Sequence, residues 1–568
     1  MQVVSKLAYT LLVLFGLTVA FTACKNDDQP APVLGITSVS PTTAPINSTV
    51  TITGTQFNAT PASNTVTFGG NAIAEIVTAS TTQLVVRVPA NAQNGAITVA
   101  TGGQSVASTQ VFSLGSRPII EKSGNITASE TWSASNVYLI RGLTYVKSGA
   151  VVTIEPGTII KGGDATLDPA NQQKGGTLIV EAGARLEAKG TATNPIVFTS
   201  NKPAGQRNYG DWGGIVLIGK SPHNRAANTG FEGGISGQLG SFNEPADNSG
   251  TLQYVRIEFP GIALTANNEI NGLTMYGVGS GTTIDHVQVS YCGDDSFEWF
   301  GGTVNAKYLI AHRGFDDDWD ADWGYSGKVQ YGVALRDPNV ADQSFSNGFE
   351  SDNFSGTGQA AAPATNNGLP LTSAVFANMS NFAFSGTPSA ANTAGGSGAY
   401  QSGMHIRRNT NISIFNTLLF GYPEGLRLDN GNAGGTGTRA NMTAGTLQLR
   451  GIVLANTGTA STTAVRGDNL GTTGITNAEA QTFFNTTAFA NTVIPSTAVA
   501  TLLLNANNFS LTAPNFLPGT GSPLLTGAIW DGKGADSFFD KVTFRGAFGT
   551  TNWTQGWANW DPQNTNYN

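Results

Sequence analysis

Charge is scarce in this chain: Asp, Glu, Lys and Arg make up 12% of its 568 residues, about half the ~25% usual for globular domains. What charge exists leans acidic, 29 basic against 37 acidic side chains for a formal net of −8. No basic stripe is available to neutralise nucleic-acid phosphates, so nucleic acid is excluded as a partner. Two cysteines, Cys24 and Cys292, exclude a disulfide framework and a cysteine-ligated zinc. Four histidines without a His-Glu-x-x-His, and the lack of any Gly-x-Ser-x-Gly, remove metalloprotease and serine-hydrolase chemistry. Helix formers are sparse, whereas Thr, Asn, Val and 71 Gly fill the chain. Apolar residues are 40% and alternate with polar ones, which argues against disorder. The expected class is all-β.

Long apolar runs are missing except for Leu7 to Ala20, preceded by Lys6. That run is too short to span a bilayer and has the layout of a secretory signal. Phe21-Thr22-Ala23-Cys24 resembles the lipobox of bacterial lipoproteins, with Phe21 where Leu is usual. The resemblance implies a signal peptide over 1–23, a lipid on Cys24, and a lipidated tether over 24–34 that contains Pro30 and Pro32. The plain alternative is an ordinary secretory signal. Lys25-Asn26-Asp27-Asp28 resembles the acidic signal that carries some lipoproteins to the outer face of the outer membrane. The expected location is the outer membrane, lipid-anchored and facing outward, with the membrane itself as a partner.

Residues 35–114 show short alternating runs broken by turn signals, the pattern of a β-sandwich. Val66-Thr67-Phe68-Gly69, Leu84 to Pro89 and Gly95 to Val99 are the clearest of them. This stretch resembles an IPT/TIG domain, an immunoglobulin-like module, with Asn47 where the family has Gly before the first inner strand. Asn also tolerates the left-handed turn that Gly would make there.

From Arg117 the pattern changes to repeats. Gly149 to Lys161 recurs as Gly176 to Glu187, with Glu155 and Glu181 in equivalent places. Asp294-Asp295-Ser296-Phe297-Glu298 recurs 22 residues later as Asp316-Asp317-Asp318-Trp319-Asp320, and Asn347-Gly348-Phe349-Glu350 echoes it again. Strands repeating every 20–30 residues indicate a solenoid whose coils bury their apolar faces by stacking. The body, 118–568, resembles the right-handed parallel β-helix family shared by pectate lyases and many surface proteins. It is also similar to a group of secreted lipoproteins with no assigned activity that carry Gly-Asp-Trp-Gly-Gly (210–214), Gly-Asp-Asp-Ser-Phe-Glu-Trp-Phe-Gly-Gly (293–302) and Asn-Trp-Thr-Gln-Gly-Trp (552–557). Small-residue stretches near 355–400 and 455–500 read as loop insertions. Trp553, Trp557 and Trp560, spaced as on one helix face, read as a C-terminal cap.

Two motifs carry candidate chemistry. Gly214 to Ser221 matches the P-loop pattern, but its middle, Ile-Val-Leu-Ile, is itself a strand and Pro222 follows, so no nucleotide is expected. The acidic stretch is the stronger candidate. Stacked coils bring equivalent carboxylates ~4.8 Å apart, where they need a cation, hydrogen-bond donors or raised pKa values. Asp294, Asp295, Asp316, Asp317, Asp318, Asp320 and Asp322 are therefore candidate calcium ligands; an ordinary hydrogen-bonded ladder is the alternative. Trp299, Trp319, Trp323, Glu298 and Arg336 are candidate ligand-binding residues, because indoles stack on sugars and carboxylates accept sugar hydroxyls. Alternation in an extended run would put Trp319 and Trp323 opposite the neighbouring acids. The expected function is non-catalytic binding of an extracellular glycan or of a partner outer-membrane protein. The pectate-lyase resemblance implies an alternative, a calcium-dependent polysaccharide lyase with an Arg base. A structural adhesin-like role is the third reading.

Overall fold

The computed structural model describes residues 33–567 apart from 90, 228, 266–267, 355–367, 392–397, 432–436 and 459–463. The proposed signal, Cys24 and its tether up to residue 32 lie outside the described residues. The chain divides into two units, 1–116 and 117–568.

The first unit is a sandwich. An antiparallel sheet runs Gly35–Ser40, Thr49–Thr55, Gln83–Arg87, Glu75–Ala79, and a five-stranded sheet faces it. Val50, Ile52, Val66, Phe68, Leu84, Val86, Ile97 and Val99 alternate inward and close one core. Asn47 takes φ 66°, as the turn before Thr49–Thr55 requires.

The second unit is a parallel β-helix with three strands in each full coil. Sheet 1 stacks Val151–Ile154, Arg185–Lys189 and so on to Gln448–Arg450; sheet 2 runs from Ile119 to Ile494; sheet 3 runs from Gly124 to Gly467. Alternation sends one set of residues into a continuous core, among them Leu178, Leu217, Met275, Phe297, Trp299, Trp319, Phe349, Met404 and Leu454. Sheets 1 and 2 meet at a single left-handed residue in each coil: Tyr254, His286, Tyr308, Tyr331, Asn378, Asn416 and Gly451 occupy matching positions, all at φ between 49° and 67°. Such a φ costs a side-chain-bearing residue ~1–2 kcal/mol. Ring stacking down the column, 4.4 Å from Tyr254 to His286, 4.4 Å to Tyr308 and 4.9 Å to Tyr331, offsets part of it.

Several expectations are corrected here. Glu155 does not lie over Glu181. Val151 pairs with Arg185 and Val146 with Val180, so Glu155 follows a sheet 1 strand while Glu181 follows a sheet 3 strand; the repeat joined two different corners of the coil. The 355–400 and 455–500 stretches are not wholly insertions. They hold the buried strand Val375–Phe382, the strands Val465–Gly467 and Thr492–Ile494, and the helix Asn477–Phe484, whose Ala480 and Phe484 join the main core. In Val375–Phe382, Ala377 and Ser380 at outward positions hid the alternation. Trp553, Trp557 and Trp560 lie in turns, not a helix, and do not close the last coil.

Those tryptophans belong to a C-terminal strap laid along the outer face of sheet 2. It covers Ile310, Val333, Leu335, Phe382, Leu418 and Val453 with Leu502, Phe516, Leu524, Phe548 and Trp557. The strap dips to the Gln330 coil at Asp540, returns to the Asn416 coil at Gly546, and from there descends until Tyr567 packs on Val137, Ile159 and Val197 of the first coils. Three amide side chains stitch it down reciprocally. Asn416 Nδ2 donates to the Ile529 carbonyl at 2.9 Å and its Oδ1 accepts the Ile529 amide at 2.7 Å. Gln330 does the same with Asp540, and Gln288 with Asn559.

Candidate functional site: a carboxylate ladder at one corner of the coil

The acidic residues gather at the corner where sheet 2 passes into sheet 3. The register Phe297–Trp319–Phe349 on sheet 3 stacks the preceding corners with no slip. A side-chain ladder results. Asn271 Oδ1 accepts the Asp295 amide at 3.3 Å, Asp295 Oδ1 accepts the Asp317 amide at 2.7 Å, Asp317 Oδ1 accepts the Asn347 amide, and Asn347 Oδ1 accepts the Ser402 amide at 3.1 Å. Each carboxylate thus satisfies a corner amide that would otherwise be buried unpaired. The ladder explains one oxygen of Asp295 and one of Asp317.

The outward face of sheet 3 carries a second series in register. It reads Tyr145, Ile179, Val216, Thr274, Glu298, Asp320, Glu350, His405, Arg427, Arg466. The face is apolar in the early coils, acidic in the middle and basic at the end. Where the acidic rungs meet the corner, three overlapping groups form: Asp294, Asp295 and Asp316; Asp295, Glu298 and Asp320; and Asp317, Asp320 and Glu350, each with carboxylate oxygens within 4.8 Å of one another. Two unit charges at that range repel by about 1 kcal/mol in water and by several times that in a sheltered groove. No lysine or arginine among the described residues pairs with Asp294, Asp295, Glu298, Asp316, Asp317 or Asp320; Arg336 is bound to Asp318 and Arg225 to Asp322, while Arg407 pairs with Asp352 and with Glu350, the last member of the third group. Asp316 Oδ1 and Asp320 Oδ1 are buried without any donor.

Burial is the main cause that holds all six carboxyls well above the usual range, and the neighbouring carboxylates add to it. Glu232, on the segment that covers the early part of sheet 3, is pushed up to about 7 by burial and then by Asp322 and Glu269. Such a set either holds protons or holds a cation. A hard cation that takes six to eight oxygens suits it, since carboxylates arrive from three coils and two oxygens lack donors.

Not every expected residue takes part. Asp318 is fully buried away from the cluster, bonded to Arg336 Nη1 at 2.9 Å, Asn381 Nδ2 at 3.1 Å and the Tyr422 hydroxyl at 3.1 Å. It is corrected from a metal ligand to half of a sealed ion pair, and Arg336, also fully buried, from a ligand contact to the other half. Asp322 lies at the margin, paired with Arg225 at 3.3 Å and raised to about 6 by burial, against the pull of Arg225. Trp299 and Trp319 point into the core and have no exposed face, so neither offers a platform to a sugar. Trp323 breaks the expected alternation through φ 53° and packs on Phe300, 4.4 Å between centroids, beneath the Arg225 guanidinium. Glu298 is in the cluster, and Asn271 Nδ2 donates to it. Glu350 was missing from the candidate set, although the 30-residue step from Asp320 marks it. Nothing in local pattern marks Asn271 or Glu232.

Sequence comparison agrees with this architecture. Residues 124–501 match the family described as the pectate-lyase like β-helix domain, and 34–114 match the IPT/TIG domain. The chain belongs to that β-helix family and carries an IPT/TIG domain ahead of it. No curated protein matches the chain. Similar solved structures include a structural genomics protein of unknown function from Bacteroides thetaiotaomicron, 18% identical over 16% of this chain and 23% of its own, with a TM-score of 0.14. An auxiliary nutrient binding protein from Bacteroides ovatus is 20% identical over 15% of this chain and 21% of its own, again with a TM-score of 0.14. The chain therefore spans under a quarter of these structures.

Proposed function

We propose that this is a cell-surface lipoprotein, anchored through Cys24, whose β-helix binds an extracellular glycan at the acidic corner through calcium. The supporting observation is the convergence of Asp294, Asp295, Glu298, Asp316, Asp317, Asp320 and Glu350 from consecutive coils with no cationic side chain bonded to the first six. Calcium in any of the three groups would neutralise clustered carboxylates, the donorless oxygens of Asp316 and Asp320 belonging to different groups, and would leave coordination positions for sugar hydroxyls or carboxylates. The reading is non-catalytic. The basic groups beside the acids are already engaged: Arg336 with Asp318, and Arg407 with Glu350 and Asp352, so neither stands as a free base for the lyase alternative.

The test is retention of the purified protein on immobilised neutral and uronate-containing polysaccharides, with calcium and with chelator. Calcium-dependent retention that Glu298→Gln with Asp320→Asn removes supports the reading; retention indifferent to calcium and to both substitutions contradicts it. Anchoring is tested separately. Wild type should incorporate labelled fatty acid and Cys24→Ala should not, while replacing Asp27 and Asp28 with Ala should leave the label and reduce protease access on intact cells.

A further inference from the structure

The Gly-Asp-Trp-Gly-Gly motif at 210–214 takes no part in the carboxylate ladder, yet it lies at the same corner of the coil, two coils before Asp294. Its Asp211 side chain is only 3% exposed and locks the turn. It accepts the Ser200 hydroxyl at 2.6 Å, the Asn208 amide at 2.9 Å and Lys202 Nζ at 2.6 Å. Between this turn and that of the preceding coil, 163–176, lies a cavity of about 410 Å³, within the range of ligand-sized pockets. Asp164, Thr166, Lys202, Asn208 and Gly210 line it, and Ile262 of the following coil adds an apolar wall.

Glycine brings this cavity against the acidic corner. The Pro260 carbonyl accepts both the Gly210 amide at 3.1 Å and the Gly293 amide at 2.9 Å, so the residues before Asp211 and before Asp294 meet on one oxygen. A Cβ on Gly293 would come within 3.1 Å of the Gly210 nitrogen, and one on Gly261 within 2.9 Å of the Asp294 nitrogen. Three coils thus approach backbone to backbone, and no side chain at these three positions stands between the cavity and Asp294. Tyr209, beside Gly210, ties the same wall to the next rung. Its ring lies 6.0 Å from that of Phe315, the residue before Asp316, and its hydroxyl donates to Asp337 at 3.1 Å.

The polar groups that line the cavity have hydrogen-bonding capacity to spare. Asp164 Oδ1 accepts the Thr166 amide at 2.9 Å and the Thr166 hydroxyl, and Asn208 Oδ1 accepts the Tyr209 amide at 2.9 Å. Among the described residues, Asp164 Oδ2 and Asn208 Nδ2 have no partner, and the Lys202 ammonium, with three protons to give, reaches only Asp211. A carboxylate acceptor, an amide donor and an ammonium around a small space match the hydroxyls of a sugar ring. Charge decides which sugar. Asp211 balances Lys202, no cation among the described residues pairs with Asp164, and Asp294 lies just beyond Gly293. A carboxylate or sulfate would enter against net negative charge, whereas a neutral ring would not.

We propose that this cavity is a second saccharide subsite, seating one neutral hexose residue of a polymer that continues onto the Asp294 end of the acidic corner. That the ligand is a sugar rests on the glycan-binding reading above; the contacts within the cavity do not require calcium.

Saturation-transfer NMR on the full chain in chelator tests the cavity by itself, with glucose, galactose, mannose and glucuronate as probes. At least one neutral hexose should receive saturation from wild type. Asn208→Trp, which fills the cavity from an exposed position, should abolish that signal, and Glu298→Gln with Asp320→Asn should leave it unchanged. On the polysaccharide that retains wild type in calcium, Asn208→Trp should weaken binding about tenfold, the value of one or two lost hydrogen bonds. An Asn208-dependent hexose signal without polysaccharide retention would remove the calcium reading and leave the subsite standing. Calcium-dependent retention with hexose signals equal in wild type and Asn208→Trp would leave the calcium reading and overturn the subsite. No hexose signal from wild type, an Asn208-dependent signal from glucuronate, or retention that Asn208→Trp does not weaken overturns the proposal as well. Should Asn208→Trp fail to fold, Thr166→Trp, exposed on the other turn, is read with the same outcomes.

Discussion

Sheets 2 and 3 are both stacks of parallel strands that turn apolar residues inward, yet their outer faces have opposite fates. On sheet 2 the outward rungs Ile310, Val333, Leu418 and Val453 are apolar and lie under the C-terminal strap. On sheet 3 the matching middle rungs are Glu298, Asp320 and Glu350, and they meet the acidic corner. The coil geometry is indifferent to what its outer rung carries. Chemistry enters through one residue per coil, which is repeated at ~4.8 Å until it becomes either a hydrophobic seam or a line of charge.

The largest effect expected from breaking this contrast is on the strap. Removing residues 496–568 uncovers a row of large apolar side chains worth ~1.5–3 kcal/mol each, which together exceed the ~5–15 kcal/mol that holds most domains folded. The truncated protein should be insoluble or protease-sensitive throughout the β-helix; a soluble, resistant product would show that the strap is dispensable. Next is the sealed pair. Arg336→Met leaves Asp318 charged and buried, and denaturant unfolding should show a loss of about 3–5 kcal/mol that calcium does not restore.

The carboxylate face should respond to pH in the sense opposite to ordinary acid denaturation. Asp322 and Glu232 are raised from 3.8 and 4.5 to about 6 and about 7, so the folded protein keeps protons that the unfolded chain has lost. Without calcium, stability should therefore fall as pH rises from about 4.5 to about 7, by on the order of a few kcal/mol summed over the cluster. Asp352 works the other way. Its burial is outweighed by Arg407 and Arg408, which hold it low, and its contribution is lost as pH falls through the acid range. Melting temperatures in chelator should therefore peak at about pH 4, above the loss of the Asp352 contribution and below the ionisation of the raised carboxyls; a flat profile between about pH 4.5 and about pH 7 would mean the carboxyls are not desolvated. The smallest effect belongs to a single stitch: Gln330→Ala removes one reciprocal amide pair from the strap and should cost ~1–2 kcal/mol with no change in calcium response.

Much of this contrast is legible in the residues themselves. The 22-residue step from Asp294 to Asp316 is a true coil, because Phe297 pairs with Trp319, and the sandwich and the β-helix follow from alternation. Equal spacing did not separate one corner from another, which is why Glu155 and Glu181 were joined wrongly. The ladder of corner amides on Asp295 and Asp317 needs long-range register and has no local signal. Asp318 looks like its neighbours in sequence, but the side chain that neutralises it, Arg336, comes from the next coil. The strap has no periodicity, since its contacts are set by Gln288, Gln330 and Asn416 on strands far away in the chain. Trp299 and Trp319 read equally well as platforms or as core until the inward face is known.

The central claim is that the sheet 3 corner holds a cation where sheet 2 holds a hydrophobic seam. Calorimetric titration of calcium into the chelator-treated wild type and into Asp295→Asn with Asp320→Asn tests it most directly. Saturable binding in the wild type that the double substitution abolishes, with the substituted protein more stable than wild type in chelator, is the result expected. No heat of binding at millimolar calcium, or equal binding by both proteins, would contradict it.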